Sequence, residues 1–140
     1  MKLFLSILIF AFSFTQYTNN WRTLAKVKIE KRFDEAMNFE VDYPTFSEEV
    51  MALNGKVIEL EGWIIPLDEL RGKNYFVLSA LPFANCFFCG GAGPETVVEV
   101  FTNKDYKFTE ERIKIKGKLR LNADDPTQLM YVMSDADVID

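Results

Sequence analysis

Both cysteines of the chain stand in one stretch, ALPFANCFFCGGAGPETVVEV, residues 80 to 100. Cys86 and Cys89 are separated by two phenylalanines and followed by Gly90, Gly91, Ala92, Gly93 and Pro94. A Cys-x-x-Cys pair at this spacing admits three chemistries. The pair can close a disulfide, because residues three apart in a turn meet the Cα separation of ~4.4–6.8 Å that the bond requires. So short a ring stabilises by only about 2 kcal/mol through chain entropy. It can instead hold a soft metal: the turn aims both sulfurs at one point, and glycine N–H groups form a nest that favours thiolate charge. Two thiolates suit Cu(I). Zn(II) needs further ligands, from a carboxylate such as Glu95 or from the same loop of a second chain. Third, the pair can exchange thiols for disulfides, although that chemistry draws on a helix N-terminus after the motif. GGAGPETVVEV does not begin a helix, and no βαβ pattern surrounds it.

Composition removes several other classes. There is no histidine in the 140 residues. Ser-His-Asp and Cys-His catalysis, haem attachment through C-x-x-C-H and imidazole-ligated zinc are therefore excluded. The opening MKLFLSILIFAFSFTQ has a lysine, an apolar run from Leu3 to Phe12 and then small and polar residues. That is the layout of a secretory signal peptide over residues 1–16, and the run is shorter than the ~20 residues of a membrane span. No cysteine precedes Cys86, so a lipoprotein lipobox is absent. Loss of Lys2 leaves 15 basic against 21 acidic residues, a net charge of −6. An acidic exported chain points away from nucleic acid, and export favours an oxidised cysteine pair.

The elements that must position the cysteines read mainly as strands. Residues 17–46 form an N-terminal extension in which AKVKIEKRF suits an edge strand and Tyr43-Pro44 marks a break. FSEEVMALNGK reads as a short helix: Ser47 caps it, Glu48 and Glu49 sit at its positive end, Val50 and Leu53 face inward, and Asn54-Gly55 stops it. Residues 47–140 then carry five segments of period two: VIELEGWIIPL, NYFVLSAL, ETVVEVF, RIKIKGKLRLN and QLMYVMSDADVI. Arg71-Gly72-Lys73 reads as the turn of a hairpin joining the first two. Ile58, Leu60, Gly62 and Ile64 share one face, as do Ile113, Ile115, Gly117, Leu119 and Leu121. The mid-strand glycines predict a small, strongly coiled barrel.

Five strands, a V-x-x-x-G pattern in two of them and the ending SDADVI resemble an OB-fold, a five-stranded Greek-key barrel. From about Trp21 onward, LEGWIIPLD, NYFVLSALPFANCFFCGGAGPETVVEV and KGKLRLNADDPTQLMYVMSDADVI resemble a family of exported bacterial proteins of uncharacterised function, common in Bacteroidetes-type genomes. The middle motif is also similar to a broader domain of unknown function, some of whose members sit near metal-uptake or ABC-transporter genes. The resemblance implies a fold and a compartment, and no reaction.

The remaining candidates have plainer readings beside them. Phe83, Phe87 and Phe88, with Leu81, either lid the barrel end or form a partner-docking surface with Gly90, Gly91 and Gly93. Lys114, Lys116, Lys118 and Arg120 read as a solvated strand face paired with Glu59 and Glu61, more than as the single-strand-binding face of an OB-fold. Asn122, Asp124 and Asp125 before Pro126 read as turn residues, with a hard cation as the rival. Glu95 and Glu99 lie on one strand face as extra ligands or as exposed strand residues, and Trp63 packs on the barrel surface. The expectation is an exported, non-enzymatic binding or accessory module of the periplasm or envelope. Its loop handles Zn or Cu(I), or is stapled by a disulfide for docking to an envelope protein. A periplasmic thiol–disulfide oxidoreductase is the alternative.

Overall fold

The computed structural model describes residues 20–66 and 73–139. The expected signal peptide, and the expected turn at Arg71-Gly72, lie outside the described residues. Alternating segments bury one face each, and five of them close on one another: β3 (Val57–Ile65), β4 (Tyr75–Ser79), β5 (Val97–Thr102), β6 (Ile113–Leu121) and β7 (Tyr131–Ile139). (The hairpin strands β1, Val27–Asp34, and β2, Phe39–Phe46, precede them.) Their order around the closed barrel is β3-β4-β5-β7-β6. The β5–β7 pair is parallel and every other pair is antiparallel. A first-second-third-fifth-fourth order makes a mainly β, OB-like Greek-key barrel.

The inward faces are those that alternation predicts. Ile58, Leu60 and Ile64 of β3 meet Ile113, Ile115 and Leu119 of β6 in the main core, all of them buried. Gly62 stands where β3 changes partner, from β6 up to Gly62 to β4 from Trp63 onward. A Cβ there would lie 2.1 Å from the Ser79 carbonyl oxygen, so only glycine allows the crossing. Asp135 adopts a left-handed conformation, φ 50°, where the β6–β7 register slips. This bulge adds coil to the last strand.

Three N-terminal elements pack against the barrel. α1 (Asn20–Leu24) runs along the part of β3 that β4 does not pair. There the Asn20 side-chain amide donates to the Glu59 carbonyl at 2.9 Å, and the Trp21 indole donates to the Glu61 carbonyl at 2.7 Å. A buried or partly open edge needs such partners. Leu24 is fully buried in the main core, and its carbonyl accepts from the Tyr131 hydroxyl at 2.6 Å. α2 (Glu48–Met51) forms as expected: the Ser47 hydroxyl accepts from the Val50 amide, Val50 is buried, and Gly55 ends the turn at φ 77°.

The hairpin between these helices corrects one expectation. β1 (Val27–Asp34) pairs with β2 (Phe39–Phe46), and β2 continues through Pro44 where a break was predicted. Proline is tolerated on an edge strand whose N–H is not required by the ladder. The connection is closed by the Asp34 carboxylate, which accepts from the Met37 amide at 2.9 Å, and by Asn38 at φ 57°. The base of the hairpin, Val27, Ile29 and Phe46, packs on the main core.

Candidate functional site: the cysteine loop and the cleft beside it

The chain leaves β4 at Ser79 and returns to β5 at Val97 through three single 3-10 turns, Phe83–Asn85, Phe87–Cys89 and Pro94–Thr96. Pro82 and Pro94 start two of them, and neither has an N–H to lose. The turn over Phe87–Cys89 ends in a Schellman arrangement. The Gly91 amide donates to the Cys86 carbonyl at 3.1 Å and the Gly90 amide to the Phe87 carbonyl at 3.0 Å. Gly90 takes the left-handed position, φ 77°, which a β-carbon would strain. The metal reading would turn the glycine amides onto sulfur; these two donors close the backbone turn.

Inward residues of β4 and β5 are Phe76, Leu78, Val98 and Val100, so Val77 and Val97 point outward. Cys86 is fully buried against those two and Ile65, with Phe87 and Leu129 packed beside them. The motif therefore folds back over the outer wall of the barrel. The Cys89 side chain lies outside the described residues, and so does its distance from Cys86. Among the described residues there is no group of three or more Cys, Asp or Glu side chains placed to hold a metal.

The two expected carboxylate ligands do not share a strand face. Glu95 belongs to the turn Pro94–Thr96 and folds its carboxylate back over Gly93. Its charge adds to burial in pushing the Tyr131 pKa far above the usual phenol value. Glu99 is an outward residue of β5, only 3% exposed, and its Oε1 accepts from the Tyr75 hydroxyl at 2.9 Å. Glu99 is therefore not the exposed strand residue that one of its two readings expected.

The aromatic residues divide. Phe87 packs inward on the outer-wall cluster and edge-on to Phe88, ring centroids 5.2 Å apart. Phe83 and Phe88 are exposed, so the set does not lid the barrel end. Asn122 is buried and anchors the β6–β7 turn. Its side-chain amide donates to the carbonyls of Asp125 and Leu129, and its oxygen accepts from the Asp125 amide at 3.0 Å. Asp125 in turn accepts from the Thr127 amide and hydroxyl, which hold its carboxyl below the usual carboxylate range. The turn reading of this segment is the one its hydrogen bonds support. The lysine stripe faces acids across the sheet, Lys116 opposite Glu59 and Lys114 opposite Glu61. Arg112 joins Glu61 at 3.1 Å and sits over the half-buried Trp63 ring.

These pieces enclose a cleft of about 300 Å³ that sequence reasoning did not anticipate. One wall is the hairpin from Phe39 to Pro44, the second is the β6–β7 turn, and Phe87 and Pro94 of the cysteine loop complete it. Phe87 thus joins the Cys86 cluster to the cleft. The signal available in the sequence was the acid-aromatic alternation of FEVDYP, residues 39–44, of which only Tyr43-Pro44 entered the reading, as a break. No helix among the described residues is long and apolar enough to cross a membrane. The chain matches no family model, no curated protein and no solved structure.

Proposed function

We propose that this chain is an exported, non-enzymatic binding module of the bacterial periplasm or envelope, and that its ligand-facing surface is the cleft between hairpin, cysteine loop and β6–β7 turn. The observation that carries this reading is the shared residue Phe87, which belongs both to the outer-wall cluster around Cys86 and to the cleft lining. The cysteine loop then acts as a brace for a binding wall. In an oxidising compartment a Cys86–Cys89 disulfide would add a short covalent staple to the same turn. Burial of Cys86 weighs against a nucleophile in thiol exchange, which needs an accessible thiolate. The loop amides engaged by carbonyls weigh against a thiolate nest for Zn or Cu(I).

The test is amide-resonance mapping of the mature chain against a pool of small apolar compounds and random short peptides. Perturbations are expected to cluster at residues 39–44, Phe87 and 122–130. Scattered or absent perturbations would remove the reading. Thiol counting and metal analysis of protein recovered from the periplasm separate its variants. Two titratable thiols with stoichiometric zinc or copper would restore the metal reading, and two blocked sulfurs without metal would establish the staple.

A further inference from the structure

Resting on the binding-module reading, we propose that the cleft takes an extended, lysine- or arginine-bearing peptide segment, which pairs as an added strand with the outer edge of β2. Consecutive residues from Phe39 to Pro44 all line the cleft. A sheet face would contribute alternate residues, whereas an edge contributes every one. Register fixes which backbone groups are available. The Ser47 amide donates to the Lys26 carbonyl, and antiparallel ladder bonds recur at every second residue. Thr45, Tyr43, Val41 and Phe39 therefore bond to β1, and Glu40, Asp42 and Pro44 turn their backbone groups outward. Pro44 has no N–H to offer a partner, so its position on that side costs β1 nothing. The β1–β2 sheet has two strands, and β2 has no second strand partner among the described residues.

Charge selects the occupant. Asp34, Glu40, Asp42, Asp124 and Asp125 line the cleft, and no lysine or arginine does. Of the nearby cations, Arg32 stacks on Tyr43 at 4.1 Å and bonds to Glu30, Arg120 is held by Gln128, and Lys31 stands opposite Asp42 on β1. Acids on an edge also disfavour self-pairing, because a second copy would set Glu40 and Asp42 against like charge. A basic strand meets neither obstacle, and main-chain bonds with alternate side-chain contacts are the usual mode of such strand addition.

The experiment measures fluorescence anisotropy of labelled short peptides with the mature chain. A peptide alternating lysine with valine should bind. Its glutamate counterpart should bind roughly tenfold or more weakly, since like charges oppose it. The lysine peptide N-methylated at alternate residues, which keeps its charge and loses its edge-facing N–H groups, should also weaken by roughly tenfold or more. The double variant Glu40→Gln, Asp42→Asn should reduce binding of the lysine peptide and its salt dependence together. Equal binding of the N-methylated peptide would reduce the interaction to plain charge attraction and overturn the proposal. Concentration-dependent dimerisation without peptide binding would assign the edge to a second copy and overturn it as well. If the compound pool perturbs the cleft while the lysine peptide does not bind, this inference fails and the module reading stands. Failure of both removes both.

Discussion

Cys86 is fully buried against Ile65, Val77 and Val97. Replacing it by serine buries a hydroxyl in an apolar cluster, so Cys86→Ser should destabilise the reduced protein by about 1–3 kcal/mol in denaturant titrations. A Cys86→Ser chain as stable as the parent would show that the cluster accommodates a polar side chain. Tyr131 makes a second residue-scale prediction. Its hydroxyl bonds to the Leu24 carbonyl, so Tyr131→Phe should cost about 1 kcal/mol at neutral pH. Burial, with the charge of Glu95 adding, raises its pKa in the folded chain. An unfolded tyrosine ionises near pH ~10. The stabilisation from keeping the phenol protonated is thus complete below that value and is lost as pH climbs past it toward the folded pKa. The gap between parent and variant should narrow above about pH 10, and parallel alkaline curves would contradict this assignment.

At the scale of elements, the glycines separate strand crossing from simple packing. A methyl at Gly62 meets the Ser79 backbone oxygen at 2.1 Å, which cannot move without breaking the β3–β4 approach. At Gly117 the nearest obstacle is the Met133 side chain, at 2.6 Å, which has rotamers to spend. Gly62→Ala should therefore cost about 3 kcal/mol and Gly117→Ala about 1 kcal/mol, read as differences in denaturant midpoint. The reverse order would mean that the bend lies at β6 and not at β3. Both glycines were legible in the sequence as coil points, because a glycine on the inward face of an alternating strand has few other uses. Which of them was backbone-locked was not legible, because that depends on a strand from another part of the chain.

For the whole molecule, α1 ties the segment before the hairpin to the barrel. Leu24 fills the main core, and Asn20 and Trp21 satisfy carbonyls of β3. A chain beginning at Tyr17 should keep full stability. One beginning at Lys26 should lose at least ~3 kcal/mol, the scale of deleting one large buried side chain. Thermal melts of the two chains decide it, and equal melting would show α1 to be dispensable. Removal of a signal peptide is compatible with the fold only when it leaves Asn20 and Trp21 in place.

Period-two alternation, the Ser47 cap, the Asn54-Gly55 stop and the two inward glycines determined the barrel strands and α2, because each is written in local side-chain pattern and backbone preference. The tertiary structure alone decided that Cys86 lies under the loop on the outer wall, that Glu99 is buried beside Tyr75, that β2 passes through Pro44, and that a cleft opens against Phe87. Each of these depends on which distant strand supplies the neighbour, and alternation says which residues share a face without saying what will cover it.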